Sequence, residues 1–282
     1  SRFRSNSKPT QLRAARAAGF SIPPTLFSND PRAIRRFVSA HEGQVIFKPF
    51  APTQWRLDDG VAMLFTSEVT LDDLPDDDVL QLCPGIFQRR IEKAHELRVT
   101  AMGHHSVVAR LQSQKEATAQ ADWRASFAKL PVEPGEIPPA VERCCQELMR
   151  RLGIVFGCLD LIVTPEGEHY FLEVNEMGQF LWIDEMEPRL ETLDPFCEFL
   201  ISRRADFAGH PSSNAVRFCD VSAEALARME ADRALHVDRP DSELAPDHDH
   251  GHKHSHSHHH THHAHPHDTT QTHSSAQEAR PE

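Results

Sequence analysis

One stretch of the sequence, FGCLDLIVTPEGEHYFLEVN at residues 156–175, constrains the fold more than any other. Its two apolar runs flank TPEGE, whose proline and glycine favour a turn, so the stretch predicts a β-hairpin. If the last four residues of TPEGE form the loop, a common hairpin length, Asp160 lies directly opposite Glu173. Side chains alternate between the faces of a strand, so Glu173 and Asn175 share the face of Asp160, and Leu172 points to the other face.

The convergence of Asp160, Glu173 and Asn175 needs a physical explanation. Two carboxylates directly opposed destabilise a sheet unless a cation lies between them. Mg²⁺ takes hard oxygen ligands, usually one or two carboxylates together with substrate phosphates. The other interpretation is a solvent-facing side of an antiparallel strand without any ligand. Three convergent oxygen ligands favour the metal site, with Mg²⁺ as the expected ion and Mn²⁺ as its substitute.

Length, charge and cysteine usage narrow the class of protein. The chain has 282 residues and a formal net charge of -12, which permits one large or two small domains and argues against nonspecific nucleic-acid binding. No signal peptide opens the chain, and no apolar run approaches the roughly 20 residues of a membrane span. The six cysteines show no metal-type spacing, which fits a reducing compartment. We therefore expect a cytoplasmic protein without nucleic-acid or membrane partners, and a homo-oligomer stays an open alternative.

Capping residues and apolar periodicity divide the rest of the chain into elements. Ser7 and Asp30 are expected to cap two helices near the start, and Gly153 is expected to end a later helix. Gly103 marks the turn of a second hairpin. Residues 79–91 predict two short extended pieces, broken where a proline is followed by a glycine.

The composition changes after residue 206. The segment 193–207 predicts the last ordered helix, although residues 220–235 have a short amphipathic pattern. Residues 248–273 are rich in histidine mixed with Asp, Ser and Thr, and they are too poor in apolar residues to join a core, so we expect disorder. The imidazoles there suit loose binding of Zn²⁺ or Ni²⁺, and the alternative is a merely solvated tail.

Basic side chains precede the hairpin at positions suited to holding phosphate. Lys48 ends the predicted strand QVIFKPF, and Lys8 opens the first helix. Arg98 and Arg110 lie on the second hairpin, and Arg124 lies in a loop. Each alone is typical of a surface cation. Together with the acid and amide set, they indicate a site where cations hold nucleotide phosphates and acids hold Mg²⁺.

The order of these parts resembles the ATP-grasp superfamily of ligases. The matching stretches fall between residues 5 and 205 and are NSKPTQLRAARAAGFSIPPTLFSNDP, VIFKPF, FQRRIEKAHELRVTAMG, ADWR and GCLDLIVTPEGEHYFLEVNEMGQFLWID. Within the superfamily the sequence is similar to the ribosomal-peptide maturases of the microviridin or graspetide type, and more distantly to the ribosomal-protein glutamate ligases. The resemblance implies an α+β ATP-grasp fold in which two α/β lobes clasp a nucleotide, followed by the disordered His-rich tail.

The resemblance also implies a division of the chain and a set of nucleotide contacts. The division is a helix and connector at 1–28, a small lobe at 29–90, a large lobe with the Mg²⁺ and ATP site at 91–205, and a tail at 206–282. Lys8 and Lys48 correspond to the phosphate-binding lysines, and Glu96 corresponds to an acid near the nucleotide. The hinge strand whose backbone reads adenine corresponds to Gln88, Arg89, Arg90 and Ile91.

The same resemblance assigns the reacting end of the site. Asp160, Glu173 and Asn175 correspond to the Mg²⁺ ligands, and Arg98 and Arg124 correspond to arginines around the phosphoryl group or the acyl phosphate. The sequence departs from the family in two places. The loop after the phosphate-binding lysine of the small lobe is APTQWRLDDG instead of a Gly-rich cover, and a preceding domain of roughly a hundred residues, which helps the peptide maturases to hold substrate, is absent from this sequence.

The sequence therefore predicts an ATP- and Mg²⁺-dependent ligase. It would join a carboxylate to an amine or a hydroxyl through an acyl phosphate, with a ribosomally made peptide or protein side chain as the substrate. One alternative is a ligase for a small-molecule carboxylate such as an amino acid or glutamate. The other is a metal-handling protein that uses the His-rich tail on a degenerate nucleotide fold.

Overall fold

The computed structural model describes residues 5–50, 54–57, 60–63, 66–115, 120, 122–124, 130–209 and 215–233. All of these residues lie within a compact unit that spans Ser1–Arg233. They form a four-stranded sheet, a five-stranded sheet, a separate pair of strands and several helices. No helix within these ranges is long and apolar enough to span a bilayer.

Eleven strands and seven α-helices are described. The strands are β1 Thr25–Ser28, β2 Val45–Lys48, β3 Gln54–Leu57, β4 Gly60–Met63, β5 Ser67–Val69, β6 Gly85–Arg89, β7 His95–Met102, β8 His105–Leu111, β9 Val132–Pro134, β10 Phe156–Val163 and β11 His169–Asn175. The helices are α1 Lys8–Ala17, α2 Pro31–Ala40, α3 Asp77–Leu82, α4 Pro139–Leu152, α5 Leu181–Met186, α6 Leu193–Ser202 and α7 Phe218–Asp232. The α+β class predicted from the sequence is confirmed.

The smaller sheet has the strand order β1–β6–β2–β5, and every neighbouring pair is antiparallel. Helix α2 begins as predicted, because the Asp30 side chain accepts a hydrogen bond from the backbone N–H of Arg32 at 3.0 Å. The helices and the sheet share an apolar core made of Ile34, Val38, Val45, Leu80 and Phe87. One face of β2 and β6 packs on this core, and their opposite face carries Ile46, Lys48 and Gln88.

Helix α3 corrects one prediction. Residues 79–91 were expected to be two extended pieces, but the first of them belongs to α3. Asp77 and Asp78 lie in its first turn, where acids interact favourably with the helix dipole, and Leu80 is buried. The extended piece begins only at Gly85, where an added Cβ would lie 2.4 Å from the ring of Phe47. A side chain at that position would therefore clash with β2.

The larger sheet has the strand order β11–β10–β7–β8–β9, again with antiparallel neighbours. One face of this sheet packs against α1 and α4. In the shared core, Leu12 and Leu148 of the helices lie with Leu97, Leu159 and Phe171 of the strands. Side chains alternate along a strand, so Glu96, Arg98 and Asp160 lie on the opposite face. That face carries the polar residues on which the functional argument rests.

The β10–β11 hairpin reaches the predicted register by an unexpected route. The two strands leave residues 164–168 between them, a loop of five instead of four. A bulge just after Asp160 then restores the pairing of Asp160 with Glu173. A bulge places one extra residue in a strand, and here it brings Leu172 to the same cleft as Glu173. Simple alternation, which predicts Leu172 on the other face, is wrong at this position.

Helix α6 confirms the prediction for residues 193–207, but it is not the last helix. Helix α7 follows, and at its start the backbone N–H of Arg217 donates to Asp220 Oδ2 at 3.2 Å, while the N–H of Asp220 donates to the backbone carbonyl of Arg217 at 3.1 Å. The guanidinium of Arg217 also lies 3.1 Å from Glu191. None of the residues of α7 is buried, and its start is tied to the rest of the unit by this pair and by the N–H of Val216, which donates to Asp194 Oδ1 at 2.9 Å.

Candidate functional site

A cleft is lined by residues of both sheets. The smaller sheet contributes Ile46, Lys48 and Gln88, and the larger sheet contributes the polar face of β7, β10 and β11. Every site residue predicted from the sequence lines this cleft except Lys8 and Arg90. The predicted residues that do line it are Lys48, Gln88, Arg89, Ile91, Glu96, Arg98, Arg124, Asp160, Glu173 and Asn175.

The hairpin brings the predicted metal ligands together. Asp160 and Glu173 are register partners, and Asn175 lies two residues further along the same strand. The amide Nδ2 of Asn175 donates to Asp160 Oδ2 at 3.1 Å and more weakly to Glu173 Oε1 at 3.4 Å. The three side chains therefore lie within reach of one another on the cleft face.

Each acid of this set is also paired with a cation of the chain. Arg98 Nη1 donates to both carboxylate oxygens of Asp160, at 2.8 and 2.9 Å, and Lys8 forms an ion pair with Glu173. Burial works against the charge of Arg98, but attraction and hydrogen bonding to Asp160 and Cys158 together outweigh it and raise the pKa of the guanidinium. The repulsion expected between the two opposed acids is thus compensated within the chain.

The donor set fits a hard divalent ion. Two carboxylates in register and one amide supply the oxygen chemistry that Mg²⁺ and Mn²⁺ accept. Within the described ranges no group of three or more His, Cys, Asp or Glu side chains is placed to hold a metal ion, since the third group here is an amide. The His-rich region 248–273 lies outside the described residues, and the prediction of Zn²⁺ or Ni²⁺ binding there finds no support.

Lys8 reaches the hairpin because α1 is anchored to it. The buried Gln11 donates from Nε2 to the carbonyl of Val174 at 2.8 Å and accepts from the N–H of Val174 at 3.2 Å. Lys8 lies one turn earlier on the same helix face as Gln11. Burial lowers the pKa of Lys8 to about 8, although attraction to Asp160 opposes the shift. The backbone of Lys8 is therefore fixed beside Glu173, and its side chain forms the ion pair from that fixed point.

The cation of the smaller sheet has a neutral partner. Lys48 Nζ donates to the side-chain carbonyl of Gln88 at 3.0 Å, and Gln88 Nε2 donates in turn to the hydroxyl of Thr25 at 2.9 Å. Burial lowers the pKa of Lys48 to about 8, and repulsion from Lys8 adds to the shift. This ammonium group lines the cleft without forming an ion pair within the described ranges.

The predicted hinge divides between the cleft and the outer surface. Arg89 and Ile91 line the cleft, whereas the guanidinium of Arg90 lies 3.1 Å from Glu68 at an exposed position. The N–H of Arg89 donates to the carbonyl of Pro24 at 2.9 Å. Neighbouring residues of an extended segment point to opposite sides, which explains why Arg90 is not brought to the site.

Glu96 is held by a residue that the sequence analysis did not select. Lys93 Nζ lies 2.6 Å from Glu96 Oε1, and the hydroxyl of Ser113 donates to the same oxygen at 2.9 Å. Both lysine and acid are almost fully buried and line the cleft. The spacing of three residues between them resembles an ordinary surface pair, so the only sequence signal for Lys93 was its proximity to Glu96.

Arg124 is oriented by Asp122, which the sequence analysis also did not select. Arg124 donates from Nε and Nη2 to the two oxygens of Asp122, at 2.8 and 2.7 Å. Burial favours the neutral form of Asp122, yet these bonds hold its pKa at about 2. Beside this pair, Trp123 stacks on Trp182 with ring centroids 5.0 Å apart.

Apolar side chains complete the cleft. Ile46 comes from the smaller sheet, and Ile162 and Leu172 come from the β10–β11 hairpin. Ile162 is the register partner of Glu96, and Asp160 is the partner of Arg98 two residues along. The apolar end of the larger sheet is therefore adjacent to the acid and amide set. Such a pairing of apolar walls with a few convergent charged groups is typical of a ligand-binding cleft.

The fold and this cleft are similar to those of solved ATP-grasp ligases. A RiPP-associated ATP-grasp ligase of Chryseobacterium gregarium, in complex with ADP and with a leader and core peptide, matches at 32% identity and a TM-score of 0.65 over 76% of this chain. The fold predicted from the resemblance is thus confirmed.

The more particular likeness is to ATP-grasp ligases that were solved with precursor peptides. The macrocyclase MdnC of Microcystis aeruginosa MRC, bound with the precursor peptide MdnA, is 36% identical over 65% of this chain, with a TM-score of 0.58. The ATP-grasp ligase PsnB, complexed with a variant of a minimal precursor, Mg and ADP, is 25% identical over 71% of this chain, with a TM-score of 0.57. The similarity to graspetide-type maturases predicted from the sequence is confirmed.

The likeness covers part of each of these proteins. The chain spans 63% of the Chryseobacterium ligase, 57% of MdnC and 58% of PsnB. No protein-family model and no curated protein matches the chain.

Proposed function

We propose that this chain is an ATP- and Mg²⁺-dependent ligase that modifies a side chain of a ribosomally made peptide. The observation that carries the proposal is the convergence of Asp160, Glu173 and Asn175 opposite the ammonium group of Lys48, across a cleft between two lobes. Acids that hold a divalent ion and cations that hold phosphates are the two requirements of phosphoryl transfer.

The apolar walls of the cleft suit the base and the charged end suits the phosphates. Ile46 and Ile162 approach from different sheets and offer two surfaces for a planar ring. Ile91 of the hinge lies at the same cleft, which supports the assignment of the 88–91 backbone as the adenine reader. Lys48 binds phosphate oxygens, and Glu96 is held by Lys93 so that it faces the cleft.

Asp160, Glu173 and Asn175 are the residues that would hold Mg²⁺. When bound, this ion neutralises negative charge on the phosphate oxygens. Arg98 keeps Asp160 in place through two hydrogen bonds, and its Nη2 bonds the carbonyl of Gly178 at 2.7 Å. The protein therefore contributes position and charge, which is the main requirement of this chemistry.

The proposed reaction has two steps. A carboxylate oxygen of the substrate attacks the terminal phosphorus of ATP, the bond to ADP breaks, and an acyl phosphate forms. An amine or hydroxyl of the substrate then attacks the acyl carbon, phosphate leaves, and the nucleophile loses its proton to solvent. Arg124 supplies positive charge near the reacting groups, because Asp122 holds its guanidinium at the cleft.

A peptide is the substrate that the comparisons favour. The Chryseobacterium ligase was solved with a leader and core peptide, MdnC with its precursor peptide and PsnB with a precursor variant. These likenesses support a peptide substrate over a free amino acid. We retain the product as an amide or an ester, since both follow from the same acyl phosphate.

The test combines nucleotide turnover with product mass. The full chain, Mg²⁺ and ATP are incubated with short acidic peptides that carry Lys, Ser or Thr, including those encoded beside its gene. The proposal expects release of ADP that depends on the peptide, together with loss of one water from the peptide mass. ADP release with free glutamate and an amine, but with no peptide, would instead identify a small-molecule ligase.

A further inference from the structure

The acids of the proposed metal site are already neutralised in the chain, and the two pairs differ in strength. Arg98 is buried and makes two hydrogen bonds to Asp160 as well as bonds to the carbonyls of Gly178 and Gln179. Lys8 forms one ion pair, and about a quarter of its side chain is exposed. The Arg98 contact is a fixed part of the fold, whereas the Lys8 contact is an ion pair that an incoming ligand could replace.

The backbone that carries Lys8 needs no movement for such a replacement. The side chain of Gln11, one turn along α1, bonds both polar groups of the Val174 backbone. Lys8 thus starts from a fixed point next to the hairpin. Rotation of its flexible side chain is enough to move the ammonium group away from Glu173.

The environment of Lys8 also contains competing charges. Asp160 attracts its ammonium group and Arg124 repels it. Polyphosphate in the cleft would offer this cation several oxygens, and a divalent ion would offer Glu173 a stronger partner. The phosphates would therefore pair with the ammonium group that the divalent ion displaces from Glu173, and the divalent ion would pair with the carboxylate that Lys8 leaves.

We propose that in the ligand-free protein the ammonium group of Lys8 pairs with Glu173 in place of the divalent ion. When nucleotide and divalent ion bind together, Lys8 and Glu173 exchange partners. Lys8 then pairs with the phosphates and Glu173 with the ion. This inference rests on the proposed function, since it assumes a nucleotide in the cleft. It goes further by making Lys8 the residue that couples the two ligands.

The exchange has a counterintuitive consequence. Without nucleotide, Mg²⁺ must displace Lys8 from Glu173 while no anion receives the ammonium group, so Mg²⁺ alone binds weakly. Removing the positive charge of Lys8 should therefore strengthen the binding of Mg²⁺ alone, and nucleotide should then improve Mg²⁺ binding less than it does in the parent. By the reciprocity of coupled binding, Mg²⁺ should then also improve nucleotide binding by the same reduced factor.

The experiment measures Mg²⁺ affinity of the full chain by calorimetry, with and without a non-hydrolysable ATP analogue. Mg²⁺ is the probe because the imidazoles of the tail prefer softer ions. Lys8→Met is expected to bind Mg²⁺ alone about tenfold tighter than the parent, the effect of one lost ion pair. Lys8→Arg keeps the positive charge and is expected to bind Mg²⁺ as weakly as the parent does.

Two matched variants separate exchange from general electrostatics. Arg13→Met removes an exposed cation from the same helix, and Lys48→Met removes the cleft cation whose described partner is Gln88. Neither is expected to strengthen the binding of Mg²⁺ alone. Equal gains in these variants and in Lys8→Met would overturn the exchange.

The outcomes also separate this inference from the proposed function. A Lys8→Met protein that binds Mg²⁺ alone no better than the parent overturns the exchange, even if the parent binds nucleotide. A parent that binds no ATP in Mg²⁺ overturns the proposed function itself. Lys8→Gln and a melting curve confirm that a changed affinity reflects the site and not a loss of folding.

Discussion

The two walls of the cleft hold their cations in different ways. On the smaller sheet, Lys48 faces the neutral amide of Gln88. On the larger sheet, Arg98 faces Asp160 and Lys8 faces Glu173. An anion that enters the cleft meets an ammonium group hydrogen-bonded to a neutral amide on one wall and ion-paired cations on the other.

This difference suggests that the smaller sheet attracts the nucleotide, whereas the larger sheet holds its charged groups in position. A cation with a neutral partner binds phosphate without breaking an ion pair, so the smaller sheet supplies the attraction for nucleotide. The larger sheet keeps its acids in register and its charges balanced, which stabilises the fold before any ligand arrives. Removing Lys48 from the smaller sheet should therefore weaken nucleotide binding without loss of folding stability, whereas removing Asp160 from the larger sheet should also lower folding stability.

The largest expected effect is a loss of folding stability when a charge is removed from the larger sheet. Asp160→Asn leaves the buried guanidinium of Arg98 without its counter-charge, and breaking a buried pair costs about 3 kcal/mol. Urea denaturation measures this loss. The matched control is Glu147→Gln, which removes an acid from solvent-screened pairs with Arg150 and Arg151, and its cost is expected to be much smaller. Equal stabilities of the two variants would break the comparison.

The next effect is on nucleotide binding by the smaller wall. Lys48→Met removes a charged hydrogen bond to phosphate and should weaken ATP binding in Mg²⁺ by about 1.5–3 kcal/mol. Its folding stability should not fall, because the variant deletes a buried charge whose described hydrogen-bond partner is the neutral Gln88 and whose burial already disfavours the charged form. Arg36→Met, an exposed cation of α2, is the control with the same change of net charge. Unchanged affinity by calorimetry in Lys48→Met would remove this residue from the site.

A smaller effect follows from pH. The pKa of Lys48 is lowered to about 8, so its ammonium group is lost in the folded chain as pH rises through that value. ATP affinity should then weaken by up to about tenfold for each unit of pH above the pKa. Lys48→Arg stays charged, so its affinity should depend on pH less steeply. Identical pH profiles would show that another group controls binding.

The same shift has the opposite sign for folding. The unfolded chain keeps the proton of Lys48 to higher pH than the folded chain does, so its contribution to stability increases as pH rises from about 8 towards the ordinary lysine value of 10.5. The difference in stability between the parent and Lys48→Met, followed by urea denaturation, isolates this contribution.

Local signals in the sequence were sufficient for much of the site. The turn in TPEGE and the alternation of side chains predict the pairing of Asp160 with Glu173, and Asp30 with the following proline predicts the start of α2. These features depend on residues close in sequence. The register was correct although the loop is one residue longer, because the bulge at Leu172 compensates for it.

Features that depend on tertiary contacts could not be read in the same way. The partner of Glu173 is Lys8, from a helix far away in the sequence, and the Gln11 bonds together with the packing of Leu12 on the hairpin bring the two together. Lys93 has the spacing of a surface pair, and its burial is set by the surrounding sheet. Arg90 was predicted to lie at the nucleotide together with the other residues of 88–91, but its side chain points to the opposite side of the extended segment and pairs with Glu68.

The most direct measurement is the effect of Mg²⁺ on ATP affinity in the parent and in Glu173→Gln. The account predicts that Mg²⁺ strengthens ATP binding to the parent by at least about tenfold, and that Glu173→Gln loses most of this gain while its melting temperature stays close to that of the parent. Without Mg²⁺, the variant should bind ATP at least as well as the parent, because Lys8 is released from its ion pair. A Glu173→Gln protein with the full Mg²⁺ effect would contradict the assignment of the hairpin as the metal site.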